Sequence, residues 1–500
     1  MAITAMATVK SRSRNSITKI AVILSLVCLP STTLAGDWEF KPSLSLDETY
    51  SDNIERSVSE PKSSNITQAI AALRATYKSS AANLNLSGTK RYSIYSHNSQ
   101  LNADYRSLSA NGSYNTWTGG PTLIARANIA NVSKNNADNS LADPISGDTV
   151  ETQNYATGLN YNFGNSSYSV ISSLIYSTNR TEDGIGESDG YRANLTSKSG
   201  NNASQLYWQV GGNYSKRTQE LDNNIDSYGE NYSINALIGT MTPWDLRPFV
   251  RFYDEKVKGT SVAEDRPSNA SWGAGVRWLP SPRLTVDLSY NETANDNHVA
   301  ASVNWQPSSR TSLAADYSQR FFGKSYNFKF THKTRRLINN INYQESLNVF
   351  DRNNYQEGDS GDLELVESNA YFLNRNLAWS SKLNLSRTSF SFNISTNEQE
   401  NLETNIVNDT VNIGLTVTRK TGVRTNMSLG TNFRNSIYDK KNPEGSRQED
   451  YYRTIFARYS LQFASSLSSN FTLKHVNRSS TNDQFGYKEI RATINIKKDF

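Results

Sequence analysis

Residues 304–336 read NWQPSSRTSLAADYSQRFFGKSYNFKFTHKTRR, and the alternation within them decides the fold. A two-residue turn at Gly323-Lys324, with glycine first in a type II′ geometry, predicts a β-hairpin with Phe322 opposite Ser325 and Phe321 opposite Tyr326. One face then carries Leu313, Ala315, Tyr317 and Phe321 on the first strand and Tyr326, Phe328 and Phe330 on the second. The other carries Arg310, Ser312, Asp316, Ser318, Arg320, Asn327, Lys329 and Lys333. Strand side chains alternate with a period of two, so a one-residue slip would mix the two sets. The pairing is therefore specified, and the question becomes which medium wets the apolar face.

Working outward, the chain from Trp38 to its end falls into alternating segments of roughly 10–15 residues. Short connections such as Ser79-Ser80, Gly164-Asn165, Thr242-Pro243 and Thr421-Gly422 exchange with long polar ones. The long ones run from Lys134 to Thr149, Thr181 to Asp189, Thr218 to Ser227, Asp254 to Asp265, Asp351 to Ser368, Glu398 to Asn408 and Tyr438 to Glu449. Short turns on one side and long loops on the other are the pattern of a transmembrane β-barrel. The expected fold is all-β, an antiparallel up-and-down barrel of about 24 strands within a range of roughly 18–26, with no separate plug domain.

Composition agrees. Mean hydropathy is −0.64 and 36% of residues are hydrophobic, which disfavours a bundle of membrane helices but suits strands with one wet face. Residues 1–35 read as a cleaved secretory signal peptide: Lys10, Arg12, Arg14 and Lys19, the apolar run Ile20 to Leu29, then Thr33-Leu34-Ala35. That leaves residues 36–500 as the barrel. Four of the 52 basic residues leave with the peptide, so 48 stand against 47 acidic ones, and no nucleic-acid partner is expected. Cys28, the one cysteine, leaves as well, which removes disulfides and thiol chemistry. The implied location is the bacterial outer membrane.

Trp244, Trp278 and Trp305 sit within two residues of Pro243, Pro280 and Pro307, as an interfacial aromatic girdle would place them. At the C-terminus Ile490, Ala492, Ile494 and Ile496 alternate with polar residues and Phe500 ends the chain. This resembles the terminal strand read by the barrel-assembly machinery, which is expected as a partner beside outer-membrane lipid and lipopolysaccharide. Lys498 departs from that signal.

Trp305-x-Pro307-Ser308-x-Arg310, Arg320-Phe321-Phe322-Gly323 and His332-x-Thr334-Arg335-Arg336, with the opening Trp38-Glu39-Phe40-x-Pro42, resemble the PEP-CTERM system-associated outer-membrane proteins. The resemblance implies a barrel from bacteria with exosortase and exopolysaccharide loci, and a part in polysaccharide export with its export apparatus. It implies no catalytic residue and no cofactor.

Chemical motifs are sparse. His97, His298, His332 and His475 fall on different hairpins, and no metal-binding, nucleophile-elbow or phosphate-loop pattern occurs. No enzyme is expected; a rim hydrolase and a non-conducting adhesin or structural barrel are the alternatives. The acidic loops, with Glu182, Asp183, Glu187 and Asp189 or Glu357, Asp359, Asp362 and Glu364, read as solvated, with weak divalent-cation binding as the other reading. The luminal stripe Arg310, Arg320, Lys329 and Lys333, with Asp316 diagonal to Lys329, has two readings. It is either an anion-selecting wall that would suit an anionic exopolysaccharide, or a ladder neutralised by acids on neighbouring strands. The overall expectation is a passive pore or secretion scaffold.

Overall fold

The computed structural model describes residues 36–135, 137, 139, 141, 143, 145, 149–200, 205–220, 226–260, 270–294, 296–350, 355–357, 363–365, 368, 370–438 and 448–500. The signal-peptide reading at 1–35 and the carboxylates Asp359 and Asp362 lie outside the described residues. The strands are β1 (Gly36–Ser51), β2 (Ser64–Ser79), β3 (Ala82–Tyr95), β4 (Ala103–Asn115), β5 (Thr122–Ser133), β6 (Thr149–Gly164), β7 (Tyr168–Thr181), β8 (Ser188–Ser199), β9 (Leu206–Glu220), β10 (Asp226–Thr240), β11 (Leu246–Gly259), β12 (Ser271–Ser281), β13 (Leu284–Thr293), β14 (Asn297–Ser308), β15 (Thr311–Arg320), β16 (Gly323–Lys333) and β17 (Leu337–Val349). They continue as β18 (Tyr355–Glu357), β19 (Leu363–Leu365), β20 (Tyr371–Asn384), β21 (Thr388–Asn401), β22 (Val407–Lys420), β23 (Thr425–Tyr438), β24 (Gln448–Ala464), β25 (Leu467–Ser480) and β26 (Tyr487–Asp499).

Each strand pairs antiparallel with its sequence neighbours, and β1 pairs with β26, so 24 strands close a ring. Closure leaves no sheet edge. β18 and β19 form a small hairpin inside the connection from β17 to β20, which the sequence reads as a long, polar, solvated loop. Many strands run 14–17 residues, longer than the ~9–11 that span a bilayer. Several long loops are consequently shorter than expected: Glu398 to Asn401 is still β21, and Asp254 to Gly259 is still β11.

The register carries two faces round the ring. Outside lie Leu44, Leu46, Leu174, Leu288, Leu415, Leu429 and Ile494, all exposed. Exposed aromatics flank them: Trp38, Trp244, Trp278, Trp305 and Phe463 toward the short turns, Tyr50, Tyr92, Tyr290 and Tyr326 toward the loops. From Trp38 to Tyr50, or Tyr451 to Phe463, twelve residue steps at ~3.3 Å and ~40° tilt give roughly 30 Å of height, a bilayer's thickness. Above the loop-side aromatics, on the same outer face, polar pairs take over: Arg106 with Glu151 at 2.6 Å, Arg180 with Asp189 at 2.8 Å, Arg375 with Glu398 at 2.6 Å. The chain is a membrane-spanning barrel of the bacterial outer-membrane type. At its closure Ile494 and Ile496 face outward opposite Glu48 and Leu46, and the amide of Phe500 donates to the Pro42 carbonyl at 3.0 Å.

The hairpin of 304–336 becomes β14 to β16; its paired strand residues keep their predicted faces, but the turn and the residues at its ends, Phe321 and Arg310, do not. Arg320 pairs with Gly323 and Tyr317 with Tyr326, so Phe321-Phe322 is the turn and Gly323 follows it at φ +109°. That backbone suits glycine, since a Cβ there is strained. Phe321 does not face lipid; it packs with Val257, Val349, Phe350 and Tyr371 at the loop end.

Candidate functional site

The lumen is built from the second face of every strand, and two groups of loop-end residues fold into it. The first is the connection 134–148, whose polar sequence predicts a solvated loop. Instead, among its described residues, three apolar side chains spaced four apart each pack against residues of the barrel. Ala137 meets Tyr438, together with Leu365 of β19; Leu141 meets Tyr452, Val476 and Tyr487; Ile145 meets Ile54, Ile66 and Tyr95. Apolar side chains in a loop were the one sequence signal for this docking.

Buried polar contacts latch the same loop. Asp143 accepts from Arg491 at 2.7 Å and lies 3.5 Å from Arg56. Arg56 also donates to Asn139 at 2.7 Å, and Arg491 donates to Glu489 at 2.8 Å. Arg478, only 2% exposed, pairs with Asp450 at 2.8 Å and donates to the Ala137 carbonyl, which Gln448 also meets at 3.0 Å. Tyr95 donates its hydroxyl to the Ile145 carbonyl at 2.9 Å. Burial alone would push the Asp143 carboxyl up, but the guanidinium charges of Arg491 and Arg56 outweigh it and hold the group down at about 2.

The second group is the tip where β17 meets β20. Tyr371, Phe372, Leu373 and Asn374 are buried in succession, whereas a barrel strand normally alternates between lipid and lumen. Both faces of the tip therefore touch protein. Tyr371 donates to the carbonyls of Lys258 at 2.8 Å and Glu230 at 3.0 Å, on β11 and β10. Gly229 permits this approach, since a Cβ there would sit 2.8 Å from Val349 Cγ2. Leu365 ties this connection to the docked loop through Ala137 and Tyr438, so the mouth is narrowed from two sides.

The residues singled out from sequence divide between the two ends. Arg310 lies in the short turn before β15 rather than on the luminal wall, with Arg335 and Arg336 in the next such turn. Trp305 is outward on β14, Pro307 accepts from Arg283 at 2.7 Å, and His332 shares a 2.8 Å hydrogen bond with Thr311. Lys333 ends β16 at that same side, and Lys329 is exposed on the luminal face opposite Ala314, with Asp316 diagonal to it. Arg320 is at the loop end, bound through two nitrogens to Glu255, itself 3% exposed, and stacked 4.7 Å over the Phe322 ring. Arg277 is likewise paired with Asp287 at 2.7 Å. Of the hairpin's basic stripe, Arg320 is thus neutralised by an acid of β11, as Arg277 is by one of β13.

Elsewhere the lumen is different. From β20 to β23 the inward side chains are mostly Asn, Ser, Thr and Gln, with Lys382, Lys420 and Arg434 the charged exceptions. They hydrogen-bond across strands, as in Thr418 with Ser428 at 2.9 Å and Thr410 with Ser436 at 3.3 Å. From β3 to β10 the inward face holds Arg91, Arg126, Arg192, Lys198 and Arg217, and among the described residues no strand there turns an acid inward. The acidic loop 181–188 uses its carboxylates locally: Glu187 accepts from Thr181 N and Asp183 from Ile185 N.

No family model and no curated protein matches the sequence. Among solved structures, the siderophore receptor PirA of Pseudomonas aeruginosa aligns over 92% of this chain and 80% of its own, at 10% identity and a TM-score of 0.42. The FrpB iron transporter of Neisseria meningitidis aligns over 92% and 81%, at 11% identity and a TM-score of 0.44. A loop-deleted OmpT, an outer membrane protein of Vibrio cholerae, aligns over 93% and 100%, at 9% identity and a TM-score of 0.32. None of the three reaches 0.5, and the fold rests on the closed ring and its apolar belt.

Proposed function

We propose that this chain is an outer-membrane conduit for an extracellular polysaccharide, acting without catalysis and without a separate plug domain, its own loops restricting the mouth. The observation that carries the reading is the luminal wall of amides and hydroxyls over β20–β23 and β3–β10. Such groups donate to and accept from sugar hydroxyls, and they exchange partners with water at little net cost, so a hydrated polymer can move along them. The resemblance of residues 304–345 and 38–53 to the exopolysaccharide-linked family supports the same substrate class. A periplasmic export apparatus would deliver the polymer to the short-turn end. The docked loops favour a second reading, a closed surface barrel with a structural or adhesive role.

Conductance separates the two. Purified protein with residues 135–147 replaced by a short Gly-Ser linker should form large, stable channels in planar bilayers, while the native protein conducts weakly. A barrel that stays non-conducting after the replacement would overturn the conduit reading and leave the structural one.

A further inference from the structure

We infer that one arc of the periplasmic rim is a docking surface for the acidic face of a periplasmic protein. A repeat along the short connections points to it. The five consecutive ones between β12 and β23 each end on an arginine immediately before the next strand: Arg283, Arg310, Arg336, Arg387 and Arg424. All five arginines are exposed and no acidic residue lies in these connections, while Lys333, Arg335 and Lys420 add to the charge. In the six other short connections the same position holds Ala81, Pro121, Ser167, Gln205, Asp245 and Ser466, and Asp245 is their one charged residue. The turn itself does not need the arginine. Each of the five accepts on its carbonyl an amide from the end of the following strand, at 2.7–2.9 Å, but the carbonyls of Ala81 and Ser466 do the same in neutral turns.

Arg283 and Arg424 donate to the Pro307 and Phe463 carbonyls, at 2.7 and 2.9 Å, and so brace neighbouring turns. Arg310, Arg336 and Arg387 make no side-chain hydrogen bond or ion pair among the described residues, so their guanidiniums serve nothing within the barrel. Their position selects the occupant. Successive arginines stand two strands apart, ~12 Å along a tilted rim, so the arc runs roughly 50 Å over about a third of the ring. Phospholipid headgroups surround the whole rim, and a polymer on the barrel axis faces every turn alike; either would favour cations all round. A cationic arc beside neutral turns instead complements a body that sits to one side. Its length is about the diameter of a folded protein of ~300 residues. An acidic face on such a protein would be steered to the arc and oriented by it. The surface goes beyond the conduit reading and does not depend on it, since a structural barrel would use the same contact.

In-cell photo-crosslinking from p-benzoylphenylalanine at Ser309 and Ser386, in the arc, against Ser166 and Ser466, in neutral turns, tests the surface. The expected result is a protein adduct from the arc positions alone. Its partner, identified by mass spectrometry and purified, should bind the barrel in phosphatidylethanolamine nanodiscs, more slowly as salt rises. Arg310→Gln, Arg336→Gln and Arg387→Gln combined should slow that association about tenfold and flatten its salt dependence. Lys90→Gln, on the outer face toward the loops, should change neither. Heat-modifiable gel mobility verifies that each variant is folded. Adducts to phospholipid only, equal protein adducts from both sets of positions, no adduct, or an association rate untouched by the triple variant would overturn the docking surface. Those failures are distinct from failure of the conduit, which conductance alone decides.

Discussion

Removing Asp143 should release the loop that narrows the mouth. In Asp143→Ala the buried guanidiniums of Arg491 and Arg56, 8% and 10% exposed, lose the carboxylate between them. Breaking a buried pair by deleting one partner costs about 3–5 kcal/mol, because a desolvated charge is left uncompensated. The apolar anchors Leu141 and Ile145 contribute about 1.5–3 kcal/mol each if fully buried, so the lost latch is comparable with all the apolar attachment that remains. The ratio of docked to undocked loop should fall by two to nearly four decades, at about 1.4 kcal/mol per decade. Undocking lets Arg56 and Arg491 regain water, so the barrel itself stays folded. Single-channel recording reads the open fraction, and trypsin, which cleaves after Lys134 once the loop is free, reads accessibility. Asp104→Asn, an exposed outer-face change, serves as control and should leave both unchanged. Open fraction and trypsin resistance equal to wild type in Asp143→Ala would refute the latch.

Other outcomes follow from the same geometry. The folded-state value of Asp143 lies below its ordinary 3.8, so its contribution to docking is complete above about pH 4 and is lost as pH falls through about 2; trypsin or pepsin mapping across that window should find the loop docked at pH 5 and released near pH 2. Leu415→Arg, on the lipid face, should destabilise folding into vesicles by about 2–4 kcal/mol if it sits near the midplane, whereas Thr416→Arg, facing the lumen, should cost little; urea titration in lipid reports both, and equal costs would contradict the assigned faces. Gly323→Val should cost about 1–3 kcal/mol through backbone strain alone, since nothing lies within 4 Å of a Cβ there. Arg320→Ala should cost about 3–5 kcal/mol by stranding Glu255, and Arg320→Ala with Glu255→Gln should recover much of it in the same titration.

Much of the architecture was legible because lipid enforces it. The outward alternation of Leu284, Val286, Leu288 and Tyr290, or Val411, Ile413, Leu415 and Val417, is imposed by the bilayer on each strand separately, so counting strands needed no knowledge of contacts. The hairpin turn was not legible for a related reason. Sliding the pairing so that Arg320 rather than Phe322 closes the turn preserves parity, and every paired strand side chain keeps its face. In the observed register Phe321 packs on the cluster of Val257, Val349, Phe350 and Tyr371, whose members come from distant strands such as β11 and β20. The latch was hidden by separation along the chain: Asp143 meets Arg491, 348 residues on. Arg320 was visible, but its neutralisation by Glu255, on β11, was not.

The most direct test of the conduit is deletion of the gene with separate quantification of surface and periplasmic polysaccharide. The account predicts that surface polymer is lost while polymer accumulates in the periplasm, and that wild-type protein restores export. Normal surface polysaccharide in the deletion strain would contradict it.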